Sequence, residues 1–317
     1  MHGSVRTTRA RARITRTITL VLVLALVPGV LAGCGGPEPD AGAPASASFP
    51  VTITDDAGRE VTVPAKPERI VSLAPANTEI VAALGATSRL VGVTTYCDYP
   101  AEVAEIAKVG DFVQPNLEAI AAADPDVVLV TTGVQADVIG QLEALGAAVV
   151  AIDPQSLEDV FASIETVGAV IGEPTAAADT VESMHIQLED IGETVENAPV
   201  RCFIEIAQDP LFTAGSATLL NDLIEHAGGE NVVTDEGYVA YSVEQLVQAD
   251  PEVYLATLGS MSDPSDIDGR PGYSSLAAVR DKRVYVLEDN LVSRPGPRVV
   301  EGVRQIAEAL HPEAFGQ

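Results

Sequence analysis

The side chains with the most obvious chemistry in this 317-residue chain are four histidines, three cysteines and 46 acidic residues. His2, His185, His226 and His311 are scattered, and no two fall at a metal-ligand spacing. That argues against a zinc enzyme or a bare zinc-ion receptor. The acids have no G-x-S-x-G turn, no P-loop and no G-x-G-x-x-G helix start beside them. Carboxylates without such partners do not assemble a hydrolytic or nucleotide-binding set. Cys97, in Tyr96-Cys97-Asp98, has no His near it in sequence and reads as a small residue after a strand rather than a nucleophile. The expectation is a protein that is not an enzyme, with no catalytic residue, no metal site and no resident cofactor.

What remains is binding chemistry. Pro75-Ala76-Asn77-Thr78 lies where a buried strand turns into a helix. Asn77 or Thr78 is expected to cap that helix, leaving backbone N–H groups at the carboxyl edge of a sheet. In open α/β sheets ligands bind at that edge. Tyr96, Phe112 and Thr131 are on loops after strands of the first half. Phe212, Tyr238 and Tyr241 belong to the second half, and Arg294 opens its final helix. Flat apolar faces from two sides and one cation suit a large planar ligand.

The elements that would position these residues follow from periodicity. Val51–Thr54 and Val61–Val63 alternate with period two around Asp56-Ala57-Gly58, a hairpin. Buried strands are expected at 70–73, 90–93, 127–130 and 148–152, with helices at 77–84, 116–123 and 135–145. Residues 156–197 carry no strand signal, and one long helix fits from Glu173-Pro174 to Glu196, with Gly192 as its weak point. A strand at 202–206, helices at 216–227 and 242–248, strands at 253–256 and 284–287, and a helix over 297–310 complete the pattern. Residues 116–131, NLEAIAAADPDVVLVT, align without gaps with residues 242–257, SVEQLVQADPEVYLAT. Glu118 matches Glu244, and Asp124-Pro125 matches Asp250-Pro251. The fold class is therefore α/β: two Rossmann-like lobes with largely parallel central sheets, joined by a single long spine helix.

The chain ends carry different information. Five arginines between Arg6 and Arg16 precede an apolar run over residues 18–31. That run is too short to span a bilayer comfortably and has the flanks of a secretory signal. It ends in Leu31-Ala32-Gly33-Cys34, which resembles the bacterial lipobox; in such signals the Cys is lipidated and becomes the new N-terminus. Residues 35–48, rich in Gly, Pro, Ala and Ser, cannot bury a core and make a tether with a reach on the order of 20 Å. Five of the 18 basic residues lie in the signal, which leaves 13 against 46 acidic ones. So acidic a surface repels nucleic acid and anionic lipid. Cys97 and Cys202 fall in different lobes and are expected to stay unpaired.

Several motifs recur in a family-specific order. They are RIVSLAPANTEIVAALG (69–85), GVTTYCDYP (92–100), KVGDF (108–112), NLE (116–118), DPDVVL (124–129), LFTAG (211–215), AGGENV (227–232), VEQL (243–246) and VSRPGPR (292–298). Over residues 50–317 the chain resembles the solute-binding proteins with a spine helix that serve cobalamin, ferric-siderophore and haem importers, and is closest to the cobalamin branch. The resemblance implies cobalamin-contact positions at Ala76, Tyr96, Phe112, Thr131, Phe212, Tyr238, Asn290 and Arg294. It departs in having no Trp: Phe112 and Thr131 stand where that branch places indoles, and Asn290, beside Asp289, stands where an Asp is usual. It also implies that Glu118 and Glu244, one per lobe, dock on arginines of an ABC permease dimer driven by a cytoplasmic ATPase. An acid in a helix's first turn also offsets the helix dipole by about 0.3–1 kcal/mol.

The expected organisation is a lipoprotein signal over 1–33, a tether over 34–49 anchored through Cys34, a first lobe over 50–153, a helical linker over 154–198 and a second lobe over 199–317. The protein is expected at the outer face of the cytoplasmic membrane, as a monomer, held to the membrane by its lipid alone. Its transport ligand is a corrinoid, a ferric siderophore or, less in keeping with the absence of a cleft histidine, haem. An exported α/β hydrolase, marked by a nucleophile–base pair on cleft loops, and an adhesin without a small-molecule ligand are the readings from other classes.

Overall fold

A hairpin opens the described part of the chain: β1 (Val51–Thr54) and β2 (Glu60–Val63) pair in antiparallel register. The computed structural model describes residues 48–195, 199–257 and 261–316. The expected signal, Cys34 and nearly all of the tether lie outside these residues, as does the linker's end at 196–198.

The first sheet is fully parallel, in the order β4-β3-β5-β6. Its strands are β3 (Ile70–Ser72), β4 (Leu90–Val93), β5 (Val127–Val130) and β6 (Ala148–Ala151). Helices α1 (Pro75–Ala83), α2 (Leu117–Ala122) and α3 (Ile139–Glu143) connect them. Alternate residues point to opposite faces. Ile70, Val127 and Leu129 join one apolar cluster, while Val71, Val128 and Val130 join another. Both faces are buried, which is why these strands read as unbroken apolar runs.

Two helices follow, α4 (Leu157–Ile171) and α5 (Pro174–Thr194). Ser156 caps α4 by accepting from the Asp159 amide at 3.1 Å. Gly172, at φ 77°, turns the chain into α5, which starts on Pro174. The spine helix runs through Gly192, so the expected weak point does not break it.

The second sheet is parallel through β9, β7, β11 and β12 and is extended by β8, antiparallel to β7, and by β10, antiparallel to β8. The ranges are β7 (Val200–Gln208), β8 (Leu211–Ala214), β9 (Gly229–Asn231), β10 (Tyr238–Ala240), β11 (Val253–Thr257) and β12 (Val284–Leu287). Helices α6 (Leu219–His226), α7 (Val243–Ala249), α8 (Ala277–Arg280), α9 (Asp289–Val292) and α10 (Val299–Leu310) surround it. Strands β8, β9 and β10 are absent from the sequence-based expectation. Each has three or four residues, and β8 adjoins the expected 216–227 helix, which begins only at Leu219. The expected helix over 135–145 is a 3₁₀ turn over 133–138 followed by α3.

The internal echo is structural. Asp124 and Asp250 both adopt positive φ, 45° and 42°, just before their prolines. Each helix end is closed by an arginine from the start of the lobe's first strand region: Arg69 donates to the carbonyls of Ala123 and Asp124, and Arg201 to those of Ala249 and Asp250. One apolar cluster runs from Ile70 and Leu129 through Ile164, Val167 and Met184 to Ile204, Leu255 and Val303. The spine therefore shares a core with both sheets. Fully burying each such side chain contributes about 1.5–3 kcal/mol, so large hinge motion would cost several of these contacts.

Candidate functional site

At the carboxyl ends of the strands the two lobes enclose a cavity of about 820 Å³. The first lobe contributes Ala76 and Asn77 from the start of α1, Tyr96 after β4, Phe112 and Val113 from the next loop, Thr131 at the end of β5, and Asp153 after β6. The second contributes Leu219, Tyr238, Met261, Asp289, Asn290 and Arg294. Tyr96, Val113, Tyr238 and Met261 are 59%, 58%, 50% and 62% exposed. Large apolar side chains left bare around one opening mark a binding surface.

Local sequence explains the placement. Pro75 sets the first turn of α1, so the helix starts earlier than expected and Ala74 is its N-cap. Neither Asn77 nor Thr78 caps it. Asn77 is buried and donates to the Val130 carbonyl at 3.2 Å, tying α1 to the end of β5, while Thr78 donates to the Ala74 carbonyl at 3.1 Å. Gly110, at φ 110°, passes so close to Gln114 and Asn116 that a Cβ would meet their backbone at 2.6 Å; it turns the Phe112 loop toward the opening. Gly215 likewise has no room for a Cβ against the Asp235 carbonyl, which draws the strand carrying Tyr238 against β8.

Gln135 holds three cavity loops together and was not legible in the sequence. It is fully buried; its Nε2 donates to the carbonyls of Leu73 and Phe112, both at 2.8 Å, and its Oε1 accepts from the Thr131 amide at 3.0 Å. Its place in the short 3₁₀ turn after β5 gives no periodic signal. Met261 and Asp153 also line the cavity without having been anticipated.

Seven of the eight expected contact positions, Ala76, Tyr96, Phe112, Thr131, Tyr238, Asn290 and Arg294, line this cavity. Phe212 does not. It sits on β8 and lines a neighbouring recess of about 680 Å³ with Gln208, Pro210 and Asp263; Met261 borders both spaces. Strand β8 is the physical reason: pairing with β7 and β10 fixes where its side chains stand.

Arg294 also differs from expectation. It sits in the turn between α9 and α10 rather than opening a helix, and its charge is already engaged. Nη1 donates to Glu79 Oε1 at 3.0 Å and to Asp98 Oδ1 at 2.6 Å. Arg298 reaches the same Glu79 through Nε and Nη2, each at 2.8 Å, and its guanidinium lies 3.8 Å from the centre of the Tyr99 ring. Glu79 and Asp98 belong to the first lobe and the arginines to the second, so these bonds bridge the lobes. The bond from Arg294 holds the Asp98 carboxyl below its ordinary pKa. Burial raises the pKa of Asp153 and of Asp289, and Asp56 raises that of Asp153 further. A smaller recess of about 510 Å³ lies beyond this bridge, against α5.

Glu118 and Glu244 stand at matching places, each exposed in the first turn of an echoed helix. Asn116 caps α2 and a Ser242–Gln245 capping box closes α7, so neither glutamate is needed as the cap. Cys97 and Cys202 are buried and free, the burial of Cys202 pushing its thiol up to about 12.

The family described as periplasmic binding protein matches residues 70–291. The chain belongs to this family. The binding protein is 37% identical over 299 residues to an uncharacterized ABC transporter substrate-binding lipoprotein of Bacillus subtilis, covering 90% of this chain and 94% of the relative. It is 30% identical over 299 residues to a cobalamin-binding protein of Halobacterium salinarum, with 88% and 80% covered. A haem-binding protein structure from Pseudomonas aeruginosa superposes with a TM-score of 0.70 at 28% identity, covering 78% of this chain and 93% of that one. The expected α/β fold with two lobes agrees with these matches, and the binding protein serves as the substrate-binding component of an ABC transporter. Such components capture solute and do not catalyse its conversion.

Proposed function

We propose that this periplasmic binding protein is an exported lipoprotein, anchored through Cys34, that captures a corrinoid in its inter-lobe cavity. It then delivers the corrinoid to a permease dimer through Glu118 and Glu244. The observation that carries the ligand reading is the opening itself: exposed Tyr96 and Val113 from one lobe face exposed Tyr238 and Met261 from the other. Ring faces and a thioether around a wide cavity favour a broad, flat, largely apolar guest. No histidine is among the described residues lining it, so haem iron would have to rely on a tyrosine or on Met261. The cobalamin-binding relative points the same way. Placement at the outer face of the cytoplasmic membrane is supported by the Arg-rich start, the Leu31-Ala32-Gly33-Cys34 sequence and the lipoprotein relative.

Docking through the two glutamates is supported by their matching exposed positions. A receptor that offers paired carboxylates suits a twofold transporter, and charge pairing sets orientation and encounter rate. The ligand assignment is tested by mixing residues 35–317 in turn with cyanocobalamin, haemin and ferric siderophores, then reading absorbance after gel filtration. Co-elution of the corrinoid is the expected result; co-elution of haemin or a siderophore alone replaces it.

A further inference from the structure

We propose that Glu79 and Asp98 make the cavity selective against anionic ligands, so that the chelate it takes is neutral or positively charged at its periphery. This rests on the reading of the cavity as the chelate site and narrows the class of chelate.

Among the described residues lining the cavity, three are charged: Asp153, Asp289 and Arg294. The one cation is not free to receive a ligand's carboxylate. Arg294 already faces Glu79 and Asp98, and its Nη2 also lies 3.5 Å from the Tyr96 carbonyl. Glu79, with 3% of its side chain exposed, is held in place by Arg298 through both oxygens. A guanidinium that has two carboxylates within hydrogen-bond distance has little attraction left for a third anion.

Asp153 stands on the first lobe's side of the opening and Asp289 on the second's, and neither forms an ion pair among the described residues. The lining itself carries two carboxylates and one guanidinium; behind it Glu79 and Asp98 pair with Arg294 and Arg298, so four carboxylates share two guanidiniums in all. A propionate or catecholate entering there would be desolvated without a cation to compensate it, whereas a peripheral amide or a positive metal centre would not. The whole chain, at a formal net charge of −28, also slows the approach of anions.

The test uses the full chain, purified in detergent, and three corrinoids with one ring system: neutral cyanocobalamin, cationic aquacobalamin, and a cyanocobalamin monocarboxylate in which one peripheral amide is hydrolysed. The monocarboxylate is expected to bind at least about tenfold more weakly than its neutral parent, since like charges facing one another disfavour a partner. Asp98→Asn and Asp289→Asn each remove one negative charge and leave Glu79 in place; circular dichroism verifies their folding. Both are expected to shrink that gap. Equal affinity for the monocarboxylate and its parent overturns the inference, as does a gap unchanged in both variants. Retention of haemin in preference to the corrinoids also overturns it, because haemin carries propionates. If no chelate of any charge is retained, the reading of the cavity itself fails, and the inference falls with it.

Discussion

Arg298 and Glu79, 219 residues apart in the chain, meet through two hydrogen bonds of 2.8 Å that join the second lobe to the first. Arg294 adds a third bond to Glu79 at 3.0 Å. The carboxylate is almost completely buried, with 3% of its side chain exposed. Glu79 and Asp98 together balance the two arginines; removing Glu79 leaves Arg298 without its carboxylate and Arg294 with Asp98 alone, in a partly desolvated gap.

Glu79→Ala is therefore expected to lower stability by about 3–5 kcal/mol, the usual cost of orphaning a buried ion-pair partner. It should also loosen the lobes. Urea unfolding reads the first effect, and an increased radius of gyration by small-angle scattering reads the second. Unchanged values in both would show that the shared apolar core alone holds the lobes.

The Asp98 contact should respond to acid in a defined direction. The bond from Arg294 depresses the Asp98 pKa. A carboxylate whose pKa is lower in the folded state adds stability above its unfolded value, and that stability is lost as pH falls through the folded value. Asp98→Asn should thus be less stable than the parent at neutral pH, with the two converging below the ordinary carboxylate range. Asp153 has the opposite sign: burial, followed by Asp56, raises its pKa. Its charge opposes folding once pH rises past the unfolded value. Asp153→Asn should be the more stable protein at neutral pH, and its advantage should shrink as pH falls through the raised value. Thermal unfolding across pH 3–8, a range set by the carboxylate pKa values on either side, checks both.

A second buried network lies in the C-terminal lobe. Glu205 on β7 accepts from Tyr254 Oη, Ser262 Oγ and Arg270 Nη1, each at 2.5 Å. Arg270 also packs 5.4 Å from the centre of the Tyr273 ring. Arg270→Met is expected to cost about 3–5 kcal/mol because Glu205 is left charged and buried, while the double change Arg270→Met with Glu205→Leu should cost less. Chemical denaturation of Arg270→Met, Glu205→Leu and the double variant gives the comparison; a double variant as unstable as the sum of the singles would refute the coupling.

Reversing the charge of both Glu118 and Glu244 to Lys should abolish transport in cells while leaving ligand affinity of the purified protein within about twofold. Neither residue lines the cavity, and surface changes of this kind usually alter stability by no more than about 0.5 kcal/mol. Lost affinity in the purified protein would remove the docking assignment.

What is legible in the sequence depends on the range of the interaction. The buried runs Ile70–Ser72, Val127–Val130 and Val253–Thr257 declare themselves because nearly every residue in them is apolar, a property each carries on its own. The Asp-Pro turns at 124 and 250 and the caps Asn116 and Ser242 do so through chemistry within four residues. The echo between residues 116–131 and 242–257 follows from those same local signals, and with it the α/β class and most of the cavity loops. Short β8, β9 and β10 did not show, because three or four residues carry too little periodicity against neighbouring turns.

What only the tertiary structure decided is which charges meet. Arg294 is legible as a cation near a ligand edge, yet its neutralisation by Glu79 and Asp98 depends on partners about two hundred positions away. Gln135 is an ordinary polar residue in sequence and becomes a tie among three loops once Leu73, Phe112 and Thr131 converge on it. Phe212 has the right type and order for the cavity, but the register of β8 against β7 and β10 carries it to the adjoining recess. Local pattern specifies elements because each residue's preference acts alone. Contacts across lobes exist only after two sheets and a spine have packed, so no window of sequence contains them.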